Sequence, residues 1–147
     1  MPLHAPDLTI HPPRSPRVRL GGYAILPRCL DKGRATLLGK NGEYHYACPL
    51  DQQFFQFAGI DGEALKHQLT KSDTEVLDWI IANAKIKRTD AEIAAWSLWQ
   101  DNRAPDNVDS REYFNSLHKA GAPNRSDIRS WFEVLDMDDF ASFGGKA

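Results

Sequence analysis

Cysteine is scarce in this chain, and that scarcity removes whole classes of protein. Only Cys29 and Cys48 occur among 147 residues, so a disulfide framework is excluded in practice and reduced thiols in a cytoplasmic protein are expected. No window approaches the roughly 20 apolar residues that a membrane-spanning helix needs, so no membrane partner is expected. The opening Met-Pro-Leu-His-Ala-Pro-Asp has neither an apolar run nor a charged lead-in, and no signal peptide is expected from it. Positive charge is not in excess either. The formal net charge of −2 argues against a general nucleic-acid binder, whose affinity comes largely from phosphate contacts. Walker and dinucleotide fingerprints are missing, as are internal repeats and low-complexity runs, and strand signals are nearly absent.

What remains is ordinary material for a globular fold: 41% hydrophobic and 26% charged residues, with Trp79, Trp96, Trp99 and Trp131 among the aromatics. The length suits a single domain over residues 1–147, able to bury roughly 68–70% of its unfolded surface. Charge is unevenly spread. Residues 1–40 carry seven Lys/Arg against Asp7 and Asp31, a local +5, which leaves −7 for residues 41–147. Either an anion site lies near the N-terminus, or the basic segment docks on the acidic remainder of its own fold.

Prolines 2, 6, 12, 13 and 16 make residues 1–16 an extended arm, mobile or laid across the body, ahead of a helical body over 17–147. A helix is expected over 26–38, with Pro27 in its first turn and Leu26, Leu30, Leu37 and Leu38 on one face; Gly39 to Gly42 stop it. Tyr44-His45-Tyr46 reads as a short extended piece or β-like turn near 43–47. From Pro49 a second helix buries Leu50, Phe54, Phe57 and Ala58, and Phe55 falls off that stripe toward a second surface, a ligand or a partner. Ser72 with Glu75 and Thr89 with Glu92 are capping boxes, the first followed by Val76, Leu77, Ile80, Ile81 and Ala84 on one face. A start at Asp109 with Glu112 and the spacing Ile128, Trp131, Phe132, Leu135 predict two more helices, while 101–108 and 120–125 read as loops. The fold class is mainly α, a multi-helix bundle.

Chemistry concentrates in Glu43-Tyr44-His45-Tyr46-Ala47-Cys48-Pro49-Leu50-Asp51. Cys48 could act as a nucleophile with His45 as its base. Glu43 and Asp51 could work as an acid/base pair, or Asp51 simply charges the first turn of the second helix. His45-x-x-Cys48 is half of a zinc motif; without the second half no metal is assigned and no cofactor can be named. Arg14-Ser15-Pro16-Arg17-Val18-Arg19-Leu20-Gly21-Gly22-Tyr23 offers guanidiniums to an anion, or pins the arm through ion pairs. Arg28, Asp31, Lys32 and Arg34 read as a solvated helix face, with Asp31 and Arg34 paired along it. Trp96, Trp99, Phe114, Trp131 and Phe132 read as core.

Ser15 to Tyr23, Leu26-Pro27-Arg28, Asp31-Lys32, Gly42 to Phe57, Trp131-Phe132 and Ser142 to Lys146 together resemble the domain-of-unknown-function 5069 family of small, mostly bacterial proteins. The distinctive part is Gly-Glu-Tyr-His-Tyr-x-Cys-Pro-Leu-Asp. The resemblance spans nearly the whole chain; it implies a shared fold and a stand-alone bacterial domain, and it supplies no reaction or catalytic residue. The leading functional expectation is a binding protein for a small anionic ligand where segments 14–23 and 43–55 meet. Arg17 and Arg19 would contact the charge, Tyr23, Tyr44, Tyr46 and Phe55 would line the pocket, and His45 and Asp51 would orient polar groups. The alternatives are an interaction module or homo-oligomer without catalysis, and an enzyme using Cys48 and His45.

Overall fold

The computed structural model of the protein describes residues 3–145; Met1, Pro2, Lys146 and Ala147 of the expected domain lie outside the described residues. Among the described residues seven helices account for the regular structure: α1 Leu26–Leu37, α2 Pro49–Ala58, α3 Gly62–Lys66, α4 Asp73–Asn83, α5 Asp90–Asn102, α6 Val108–Gly121 and α7 Trp131–Ser142. The fold is mainly α. Among the described residues the only β pairing is one isolated bridge, Leu20 with Tyr23.

α1 is the hub. Pro27 sits in its first turn, where the missing N–H costs no helical bond, and Gly39, at φ 67°, follows its end. Every residue from Leu26 to Ala35 is buried, so the helix is covered on all sides. This corrects the reading of Arg28, Asp31, Lys32 and Arg34 as a solvated face. Asp31 pairs with Arg14 of the arm at 3.0 Å, and Arg34 reaches Asp73 at 2.7 Å and the carbonyls of Leu69 and Lys71, so Asp31 and Arg34 do not pair with each other. Leu37 and Leu38, expected on the buried face, are instead 43% and 44% exposed, because α1 emerges from its neighbours at that end.

The arm lies across the body. Leu8 is buried and its N–H donates to Lys40 C=O (2.8 Å), and the Ile25 N–H donates to Pro16 C=O (2.9 Å). The Gly21-Gly22 turn takes positive φ at both positions, and a Cβ on Gly21 would come within 2.6 Å of Leu77. Ser97 of α5 locks this turn from inside, its Oγ donating to Gly22 C=O and accepting the Ala24 N–H.

One core gathers Tyr23, Leu26, Leu30, Phe54, Phe55, Val76, Ile80 and Phe132, and a second joins Phe114 of α6 to Val134 and Met137 of α7. Both expected boxes, Ser72–Glu75 and Thr89–Glu92, cap α4 and α5. α6 starts two residues before Asp109–Glu112 would place it, on an Asn107–Ser110 box, and α7 starts at Trp131 on a Ser130–Glu133 box, leaving Ile128 in the preceding loop. Tyr44 to Tyr46 forms no strand: Tyr44 and His45 lie between two turns, and Tyr46 opens the second. On α4, Ile81 is exposed while Val76 and Ile80 are buried. Trp99 is also not core: it is 57% exposed, with the Arg103 guanidinium 5.6 Å from its ring centre.

No helix among the described residues is long and apolar enough to cross a membrane.

Candidate functional site

A cleft of about 860 Å³ opens between the 42–48 loop with the start of α2 on one side and α6 and α7 on the other. Its floor comes from α1. Arg28 and Lys32 stand one helical turn apart, both buried, and both line the cleft. Its walls are largely apolar, formed by Leu50, Tyr113, Leu117, Trp131, Leu135 and Phe143, while the exposed Glu43 and His45 stand at the rim. α6 packs along α7 and seats Trp131 edge-on against Phe114, with ring centres 5.4 Å apart.

Each floor cation has its own buried carboxylate. Arg28 donates from both terminal nitrogens to Asp139 (2.7 and 3.2 Å), the fork geometry that suits guanidinium to carboxylate. The Tyr44 hydroxyl donates to the same carboxylate at 2.8 Å, and the Arg28 guanidinium lies 5.4 Å from the Tyr44 ring centre. Burial alone would push the Arg28 pKa down; the Asp139 hydrogen bonds and charge outweigh it and hold it up. The Tyr44 phenol is pushed up, first by burial and then by its bond to Asp139, so it serves as a donor and stays protonated.

Lys32 Nζ contacts Asp51 Oδ2 at 2.8 Å and Cys48 Sγ at 3.0 Å. Burial works against the ammonium, but the charge of Asp51, followed by Cys48, raises its pKa. Lys32 is therefore held as a cation, which disqualifies it as an amine nucleophile at neutral pH. Asp51 also accepts the Ala47 N–H at 3.0 Å, while its Oδ1 has no nitrogen or oxygen donor. Ala47 takes φ 62° to aim that N–H inward. Beside the pair, the Cys29 thiol is raised well above its ordinary value, first by burial and then by the charge of Asp51.

The expected site residues divide sharply. Tyr44, His45, Glu43 and Cys48 line the cleft. Asp51 sits behind it, engaged with Lys32. Tyr46 turns away to donate to Gly62 C=O at 2.6 Å. Tyr23 and Phe55 are core rings: Tyr23 lies edge-on to Phe54, and Phe55, the residue off the α2 stripe, is 4% exposed and packs on Tyr46 and Phe54. The second surface that Phe55 meets is internal.

Segment 14–23 and the cleft do not form a shared arginine site. Arg17 reaches Asp136 (3.2 Å), and Arg19 grips Asp101 with two nitrogens (3.0 and 2.6 Å). Arg14 bridges Asp31 and Asp73. Arg17, Arg19 and Tyr23 are absent from the cleft lining. Within hydrogen-bond reach of Cys48 Sγ stands Lys32, not His45, and Glu43 and Asp51 are separated, one on the rim and the other buried. Among the described residues no group of three or more His, Cys, Asp or Glu is placed to hold a metal ion.

Four charged cleft residues escape sequence reasoning: Lys32, Arg28, Arg103 and Asp138. The first two belong to the Leu-Pro-Arg and Asp-Lys runs already singled out for resemblance, but their charge suggested solvent. Arg103 follows α5 and is tied to the cleft by its C=O, which accepts the Trp131 N–H at 2.8 Å. Its guanidinium is half-buried and makes no hydrogen bond or ion pair among the described residues, and burial lowers its pKa. Asp138 of α7 is likewise half-buried and makes no ion pair among the described residues; burial followed by the neighbouring charge of Asp139 raises its pKa, against the opposing charge of Arg28.

No curated protein matches the chain. The profile of the family described as "Domain of unknown function (DUF5069)" matches residues 10–141, a stretch that holds all seven helices but the last residue of α7 and takes in every charged group of the cleft. The chain belongs to the DUF5069 family.

Proposed function

We propose that this protein binds a small ligand with an apolar body and an anionic group, and that the ligand occupies the cleft between the 42–48 loop and α6 and α7. The observation that carries this reading is Arg103, a half-buried residue lining an apolar-walled cleft whose guanidinium lies over the Trp99 ring, feels the charge of Asp106, and makes no direct hydrogen bond or ion pair among the described residues. A cation moved partly out of water without a directly bonded counter-charge is costly, and an incoming anion relieves that cost. Arg17 and Arg19 lack this property because Asp136 and Asp101 already satisfy them. Arg28 and Lys32, neutralised by Asp139 and Asp51, give the floor hydrogen-bonding rigidity without a net charge to offer. The size of the cleft suits a small molecule, since such sites run from roughly 300 to 1,000 Å³.

Thermal melting with octanoate, benzoate and inorganic phosphate tests the reading. A carboxylate at ten times its Kd should add about 1.4 kcal/mol, or roughly 3–6 °C for a chain of this size. That shift should appear in wild type and Arg17→Ala and vanish in Arg103→Gln. A shift lost in Arg17→Ala and kept in Arg103→Gln would move the site back to segment 14–23. No shift with any of the three probes would remove the reading.

A further inference from the structure

We infer that Gln53 of α2 reads the ligand, donating from its side-chain nitrogen to a carboxylate or carbonyl oxygen, and that Gln100 of α5 is the positioning residue that holds its amide in that sense. The inference rests on the cleft being a ligand site, and it goes further by naming the atom a ligand must present on the α2 side.

Pro49, Leu50 and Gln53 line the cleft from the first turns of α2. They share a face because residues three and four apart are neighbours on a helix. Gln53 is the polar group of that face, and it is half-buried. One end of its amide is already engaged: Oε1 accepts a hydrogen bond from Gln100 Nε2 at 2.7 Å. The other end, Nε2, makes no hydrogen bond among the described residues. It is not one of the two buried side-chain atoms left without a partner there, so it is open to solvent. An amide whose oxygen is taken offers a ligand its N–H groups, which suit an oxygen acceptor and give an ammonium nothing to donate to.

Gln100 shows that this orientation is maintained at a cost. It is fully buried, its Nε2 is spent on Gln53, and its Oε1 has no partner. A carbonyl stripped of water and left unpaired destabilises a fold, and a methionine would fill similar space without one. Packing alone gives no reason for a glutamine at this position, whereas the amide of Gln53 does. With both amides reversed, Gln100 would bury an unpaired NH2 in place of the carbonyl, and orphaned donors are the rarer case. The same turn leads into Arg103, whose N–H donates to Gln100 C=O at 3.3 Å. The end of α5 thus supplies both the cation of the proposed site and the group that orients Gln53.

Titration calorimetry with octanoate, methyl hexyl ketone and octylamine tests this, since the three share an apolar chain and differ in the polar end. Wild type should bind octanoate, bind the ketone more weakly, and leave octylamine unbound. Gln53→Leu should weaken octanoate about tenfold or more, the ordinary yield of a hydrogen bond to a charged group. Gln53→Glu, which still offers Gln100 an acceptor, should lose octanoate and gain octylamine. Gln100→Met should weaken octanoate, melt no lower than wild type, and add no further loss in a double variant with Gln53→Leu. Octanoate binding that needs Arg103 but ignores Gln53→Leu and Gln53→Glu overturns the inference and leaves the anion reading standing. A clear drop in the Gln100→Met melt, with octanoate affinity unchanged, makes Gln100 structural and removes its positioning role. Ketone binding that needs Gln53, with no binding of octanoate, overturns the anion reading and keeps the amide donor. If wild type prefers octylamine, or binds none of the three, both fail.

Discussion

Lys32 Nζ lies 2.8 Å from Asp51 Oδ2, and the two side chains are only 4% and 0% exposed. An ammonium and a carboxylate sealed this completely stabilise each other only as a pair, because each alone would be a bare charge in a medium that solvates it poorly. Asp51→Ala should therefore cost about 3–5 kcal/mol of unfolding free energy in a denaturant titration. The double variant Lys32→Met, Asp51→Leu should cost clearly less than the sum of its single changes, since it removes both charges and refills the space. Strict additivity would mean that the contact carries no coupling.

A second prediction concerns the loop that delivers Cys48. Ala47 sits at φ 62°, a region where the Cβ of an L-residue crowds the following carbonyl oxygen at a cost of roughly 1–2 kcal/mol. That conformation points its N–H at Asp51, and the buried carboxylate holds it there. Glycine adopts the same conformation without the clash but loses more freedom on folding, by about 0.5–1 kcal/mol. Ala47→Gly should thus be neutral or stabilising by up to about 1 kcal/mol, whereas Ala47→Val should destabilise clearly. Melting temperatures of the two variants check the order, and a lower melt for the glycine variant would contradict it.

Acid sensitivity should trace to Asp73, which binds the arm and α1 to the start of α4. Burial pushes its pKa up, but hydrogen bonds from Arg14 and Arg34 outweigh this and hold it below the ordinary value of 3.8. A carboxyl with a depressed folded-state pKa stabilises the fold above its unfolded value, and that contribution disappears as pH falls through the folded one. The stability difference between wild type and Asp73→Asn should be constant near neutrality and shrink below about pH 4. Urea midpoints measured from pH 7 to pH 2.5 would show it; a difference that widens on acidification would reverse the sign and refute the assignment.

What could be read in advance was whatever depends on neighbours in sequence. Ser72–Glu75 and Thr89–Glu92 place two helix starts because a capping box is complete within four residues. Ser130–Glu133 is the same signal, masked because Ile128 fits the apolar spacing of α7 and draws its expected start backward. The role of α1 was illegible for the opposite reason. Arg28, Asp31, Lys32 and Arg34 look like solvent-facing residues until their partners are known, and Asp139, 111 positions from Arg28, is supplied only by the tertiary fold. The site shows the same division. Tyr44, His45 and Cys48 were marked by their density in one short run, while Arg103 and Asp138 are isolated charges that α5 and α7 bring to a common cleft. The basic N-terminal segment could not be assigned in advance, since the acids its arginines pair with, Asp31, Asp73, Asp101 and Asp136, lie 17 to 119 positions away in the chain.

The two cysteines give the last prediction, and it connects the cleft to a simple chemical readout. Cys29 is fully buried, and its thiol is raised well above the ordinary value by burial and by Asp51, so it should resist alkylation in the folded protein. Cys48 is half-buried and lines the cleft. Native protein should therefore take up one maleimide, located at Cys48 by peptide mapping, and the unfolded chain should take up two. A ligand seated in the cleft should slow the first reaction without altering the second. Saturating octanoate should lower the Cys48 rate in wild type in proportion to occupancy, and fail to do so in Arg103→Gln. If octanoate binds, judged by calorimetry, yet leaves the Cys48 rate unchanged, then the ligand sits elsewhere and Arg103 acts outside the cleft.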